Sequence, residues 1–258
     1  MAVAIRAAPS EDFMRNRIVP DKDQLPTRAD SQSAMPILAA QDRATLIDAA
    51  RGKKFVVVGE WHAGLDVVPI IEPLMGSGQF KGIFLEAFDQ GGELKHTGRS
   101  VYNWNPDKYE EIVSMAKANN IEVHGIDVKP AKPFSKIGKA ETEQYYNARV
   151  EAWADHISSV SEAASHYLIL VGSFHVIYTA KSLEIADTEN LPARLFRQGV
   201  KPSEVLTITC NPYPTETSKT VSLVRDMPAE ERVMYSQMAD VLYCGSAAVP
   251  QIKISRRI

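Results

Sequence analysis

The chain has 258 residues, 45% hydrophobic and 24% charged, which is ordinary globular composition with length enough for a sizeable core. A formal net charge of −3, from 29 basic and 32 acidic residues, argues against a nucleic-acid surface or an anionic-membrane binder. Two cysteines, Cys210 and Cys244, make no disulfide framework, and no apolar run approaches the ~20 residues that span a bilayer.

Residues 1–35 mix Asp, Arg, Ser, Pro and Gln with few clustered apolar side chains and read as a flexible leader. The start lacks the charged segment and long apolar core of a secretory signal, so Sec export is not expected. Residues 36–258 read as one α/β domain. Its first helix is predicted over Gln41 to Arg51, stopped by Gly52, and the run Phe55-Val56-Val57-Val58 follows as a buried strand. Leu65 to Met75 reads as a short helix made irregular by Pro69 and Pro73.

Gly82 to Glu86 is the second strand, followed by a polar loop, Gln90 to Ser100. Asn105-Pro106 opens a helix with Tyr109, Ile112, Val113 and Ala116 on its buried stripe, and Asn119-Asn120 closes it. Ile121 to Asp127 is the third strand. The longest helix is predicted over Ala140 to Ala164, with Tyr146, Val150, Trp153, Ile157 and Val160 at helical spacing. Tyr167 to His175 is the fourth strand, and Leu191 to Gln198 a helix ending at Gly199. Strands at Val205–Thr209, Val221–Val224 and Val241–Tyr243, with a helix over Glu230 to Met238, complete the pattern. Strands alternating with helices predict a mostly parallel or mixed sheet flanked by helices, the later strands forming an antiparallel or mixed edge.

Four of these strands end in ionisable side chains. They are Glu60 and His62, Glu86, Asp127, and His175. In parallel α/β sheets the carboxyl ends of strands are where ligands bind and reactions occur, so the four ends predict one shared site. Alternation along a strand points Glu60 and His62 the same way, and points His124 away from Asp127. His96 reads as solvated, and His156 and His166 flank the exposed side or end of the long helix.

With these ends identified, the chain resembles the erythromycin-esterase and ChaN-like group, which also includes the Tiki and TraB proteins. The resemblance rests on Gly59-Glu60-Trp61-His62, Leu85-Glu86, Gly125-Ile126-Asp127 and Gly172-Ser173-Phe174-His175. An arginine on the helix before the last of these, Arg149, and a Pro-x-x-Leu segment at Pro192 to Leu195 add to it. It covers roughly Phe55 to Gln198. The lipid-anchor cysteine of ChaN-like haem lipoproteins has no counterpart here. A domain of this type behind a polar leader also resembles some type III effectors of plant-pathogenic bacteria. That likeness implies delivery into a host cell, with the cytoplasm as the alternative location, and a small-molecule or host-cell substrate or a host protein as partner.

Three chemistries suit these residues. In the first, a hydrolase with no required metal, His62 is the general base on a water, and Glu60 or Glu86 fixes its tautomer. His175 then supplies a second proton-transfer group or oxyanion stabilisation, and Arg149 binds an acidic substrate group or pairs with Glu86. The second is a Tiki-like hydrolase in which Glu60, His62, Glu86 and His175 hold a divalent metal that sharpens a bound water. The third is a ChaN-like carrier of haem or another small molecule. It ranks last, because no side chain stands out as an axial ligand.

Overall fold

The computed structural model describes residues 38–60, 67–92, 106–128, 139–176, 190–211, 221–226, 229 and 239–244. The leader, residues 1–35, and the helix predicted over Glu230 to Met238 lie outside these residues, as do the polar loop beyond Gly92, His62 and His96. Strands β1 (Phe55–Glu60), β2 (Gly82–Asp89), β3 (Glu122–Asp127), β4 (Tyr167–Gly172), β5 (Val205–Asn211), β6 (Val221–Leu223) and β7 (Val241–Cys244) form one sheet. Its order is β3-β2-β4-β1-β5-β7-β6, and every neighbouring pair is parallel except β6 with β7. The expected mixed edge is therefore the antiparallel β6.

Helices α1 (Ala40–Ala50), α2 (Val68–Gly76), α3 (Pro106–Ala118), α4 (Lys139–Val160) and α5 (Leu191–Arg197) alternate with the strands as expected. Leu46, Ile70 and Tyr109 of α1–α3 pack with Val56, Val58, Ile83 and Leu85 on the first face of the sheet. Val150, Trp153 and Ile157 of α4 and Leu195 of α5 pack with Val57, Phe84 and Ile169 on the second. Each of these buried aliphatic side chains contributes about 1.5–3 kcal/mol of burial, so both layers are held mainly by apolar packing.

Local sequence sets the helix ends. Pro69 sits in the first turn of α2, where its missing N–H is not needed, while Pro73 is carried inside the helix at the loss of a hydrogen bond. Asn120 closes α3 in the left-handed region, φ 56°. Asn190 caps α5 by accepting from the Ala193 amide at 3.1 Å. The long helix ends at Val160 rather than Ala164.

Chain order and spatial order diverge around β4. The chain leaves β1 and β2 across the first face, whereas β4, inserted between them, continues to α5 on the second face. Connections that part to opposite faces open a crevice at the carboxyl ends of the strands, the usual ligand position in such sheets. Glu60 of β1 and Gly172 of β4 are register partners at this crevice.

Candidate active site at the strand ends

Glu86, Asp127, Arg149 and His175 come together on the second face, and all four are buried. Arg149 of α4 donates through Nη2 to Glu86 Oε1 at 2.6 Å and through Nε to Asp127 Oδ1 at 2.5 Å. Its guanidinium carbon lies 4.4 Å from the centroid of the Trp153 ring, one helical turn further on, and Trp153 Nε1 donates to Asp127 at 3.0 Å. One fork thus serves carboxylates from two strands, a geometry suited to arginine and not to lysine. Glu86 Oε2 accepts from the Gly172 amide at 2.7 Å, which ties β2 to the end of β4; β2 itself runs on to Asp89, beyond the expected end at Glu86.

His175 belongs to a short 3-10 turn, Ser173–His175, and not to the strand, which stops at Gly172. The turn closes with the Val176 amide donating to the Ser173 carbonyl at 3.1 Å. It places His175 Nε2 3.8 Å from Glu86 Oε1, with the imidazole edge-on to Trp153 at 4.9 Å between centroids. That separation is longer than a hydrogen bond.

Glu60 has a different setting. Its carboxylate accepts from Lys108 Nζ at 2.7 Å and from the Tyr109 hydroxyl, both on α3 against the first face. Burial, and then the Glu60 charge, push the Tyr109 hydroxyl well above its ordinary value of 10.0, so Tyr109 stays a proton donor to Glu60. A weaker interaction with Glu86 acts on Tyr109 in the same direction. The strand-end side chains therefore form two clusters, Glu60 on the α3 side and Glu86, Asp127 and His175 on the α4 side.

The expected alternation fails at the end of β3. His124 packs 5.0 Å from Phe84 on the second face, yet Asp127 turns to the same face to meet Arg149. Beside it the pairing of β2 with β3 shifts register between Leu85 and Asp89. Gly125 permits it, because a Cβ there would lie 1.9 Å from the Asp89 carbonyl oxygen. His156, expected on the exposed side of α4, is instead half-buried with its ring edge-on to Phe84 at 6.4 Å.

Three participants carry no role in the sequence reading: Lys108, Tyr109 and Trp153. Tyr109 and Trp153 sit on the buried stripes of their helices, where an amphipathic pattern hides the polar tips. A tyrosine or tryptophan in a stripe aimed at acidic strand ends is the available signal, since these side chains need a partner when buried. Among the described residues no group of three or more His, Cys, Asp or Glu side chains is arranged to hold a metal ion. No helix among them is long and apolar enough to cross a membrane. Comparison with family models, with curated proteins and with solved structures finds no match to this chain.

Proposed function

We propose that the chain is a hydrolase of the erythromycin-esterase and ChaN-like type, using histidine and carboxylate groups to activate water. The observation that supports this most is the burial of Glu86, Asp127, Arg149 and His175 together at the carboxyl ends of a parallel sheet, beside the crevice where its connections part. Stability alone gives little reason to bury so many ionisable groups, because replacing such a set with apolar residues is often neutral or stabilising.

In this reading Arg149 and the Gly172 amide hold the Glu86 carboxylate fixed. A water beside the Glu86 carboxylate passes its proton to the His62 imidazole as its oxygen attacks the substrate carbonyl. His62 is the first base and His175 the second proton-transfer group. Protonated histidine then returns the proton to the leaving alkoxide, which leaves acid and alcohol. Delivery into a host cell by the leader is part of the same proposal.

The test is turnover of a panel of carboxylic esters by the purified protein, by His62→Ala and by His175→Ala, with elemental analysis in parallel. Turnover that falls at least about 100-fold in both variants, with the folded signal kept, supports the reading. Undiminished turnover in both variants rejects it. A stoichiometric metal lost in His62→Ala would move the mechanism to the metal-assisted form. Deleting residues 1–35 should abolish delivery and leave the domain's stability unchanged.

A further inference from the structure

The Trp153 indole contacts Arg149, Asp127 and His175 at once. Its ring lies 4.4 Å from the Arg149 guanidinium carbon, and 4.9 Å from the His175 imidazole at an interplanar angle of 72°. Its Nε1 donates to Asp127 Oδ1 at 3.0 Å, the same oxygen that accepts from Arg149 Nε. Arg149 and Trp153 are four residues apart on α4, so one helix face presents both. The tryptophan is fully buried.

Packing α4 on the sheet does not demand an indole here. Val150 and Ile157, in the same core layer, fill their places with aliphatic carbon alone. A buried indole brings an N–H that needs a partner, and here the partner is an acid of the site. The ring is restrained twice, by that hydrogen bond and by the guanidinium over the ring. It therefore offers His175 a rigid surface, in the near-perpendicular arrangement that aromatic pairs favour. His175 Nε2 is 3.8 Å from Glu86 Oε1, too far for a hydrogen bond to that oxygen. Glu86 Oε1 thus does not fix the angle of the imidazole, whereas a rigid aromatic wall can.

We propose that Trp153 is a positioning residue with two separable parts. Its ring sets the orientation of the His175 imidazole relative to Glu86, and its N–H steadies Asp127 beneath Arg149. The first part deepens the hydrolase reading and rests on it for turnover only. The orientation itself is read from the imidazole protons, whatever the protein's activity.

The experiment compares the full chain with Trp153→Phe, Trp153→Leu and Ile157→Ala. Trp153→Phe keeps a ring and loses the N–H, Trp153→Leu loses both, and Ile157→Ala loosens the same helix away from the site. The carbon-bound proton signals of His175, identified by their loss in His175→Ala, report where the imidazole lies, because a neighbouring aromatic ring shifts them. Trp153→Phe should keep shifted signals and a kcat within about three-fold of the wild type. In Trp153→Leu those signals should move and kcat should fall about ten- to hundred-fold, with KM changed no more than about two-fold. Ile157→Ala should leave both readouts close to the wild type. Unmoved His175 signals in Trp153→Leu, or equal kcat in Trp153→Phe and Trp153→Leu, would overturn the proposal. So would a loss of kcat in Ile157→Ala as large as in Trp153→Leu, since loosened packing would then suffice. Where Trp153→Leu does not fold, Trp153→Phe decides, and a fall of more than about ten-fold in its kcat with the fold intact overturns the role of the ring. Signals displaced as expected in Trp153→Leu, in a protein whose wild type turns over no ester, would reject the hydrolase reading and leave the positioning role standing.

Discussion

Glu60 ends β1 and Glu86 lies three residues before the end of β2, yet they take hydrogen bonds from helices on opposite faces, Glu60 from α3 and Glu86 from α4. Glu60 has an ammonium and a phenol. Glu86 has half a guanidinium, a backbone amide and, beyond hydrogen-bond reach, an imidazole.

Arg149 is the residue whose loss should cost most. Arg149→Met leaves Glu86 and Asp127 buried without their shared cation, which should destabilise the domain by about 3–5 kcal/mol. Adding Glu86→Gln and Asp127→Asn should recover a large part of that loss. Urea denaturation of the single and triple variants checks both statements. A single variant within about 1 kcal/mol of the wild type would mean that the pair of ion bonds is not formed in solution.

Tyr109 makes a prediction in alkali. Its folded value is raised, so the unfolded chain loses the proton more readily. The stability it contributes is therefore complete below pH 10.0 and declines as pH climbs past it. Tyr109→Phe should lose about 1–3 kcal/mol at neutral pH with the bond to Glu60, and should show a shallower decline above pH 10.0. Denaturation curves on both sides of that pH give the comparison.

His156 acts in the acid range. Burial, and then the neighbouring His124, lower its value from the ordinary 6.5. The unfolded chain then binds the proton more tightly, so stability is complete above pH 6.5 and falls as pH drops from there towards the lowered folded value. His156→Gln should flatten that part of the profile. An unchanged slope between pH 6.5 and the onset of carboxylate titration would contradict the assignment.

Gly59 tests how the His175 turn is seated. Gly59→Ala must push against Val176 and the Ser173 backbone, at 2.8 and 3.0 Å, and overpacking of this kind costs about 1–3 kcal/mol. The displaced turn carries His175, so under the proposed hydrolase reading Gly59→Ala should lower ester turnover more than Gly82→Ala does at a similar loss of stability. Gly82→Ala presses mainly on the Tyr167 ring, which is remote from the strand ends and serves as the control. Equal effects of the two on turnover would remove the link between the turn and catalysis.

The sheet was legible because strands such as Phe55–Val58 and Tyr167–Val171 are short, β-branched or aliphatic, and bounded by polar segments. The helices were legible for the same reason, with ends fixed by Pro106, Asn120 and Gly199. Arg149 was read as a partner for Glu86, and that pairing is present, extended to Asp127. Which face each acid serves was not legible. Beside Asp127 the pairing of β2 with β3 shifts register between Leu85 and Asp89, where Gly125 meets a distant backbone carbonyl, and neither follows from alternation along one strand. The Ser173–His175 turn was hidden too, since Gly-Ser-Phe-His continues the strand pattern as well as it breaks it.

The insertion of β4 between β2 and β1 also dictates when this molecule comes into being during synthesis. Strands β1 and β2 are not paired with each other, and what joins them is a segment made some 80 residues after β2 begins. A nascent chain that has not yet extruded Tyr167–Gly172 holds two apolar strands with open edges, the condition that invites mispairing. The Gly172 amide bonds Glu86, so the strand that joins β1 to β2 also completes the acidic cluster. Premature termination anywhere upstream of β4 would leave an aggregation-prone fragment.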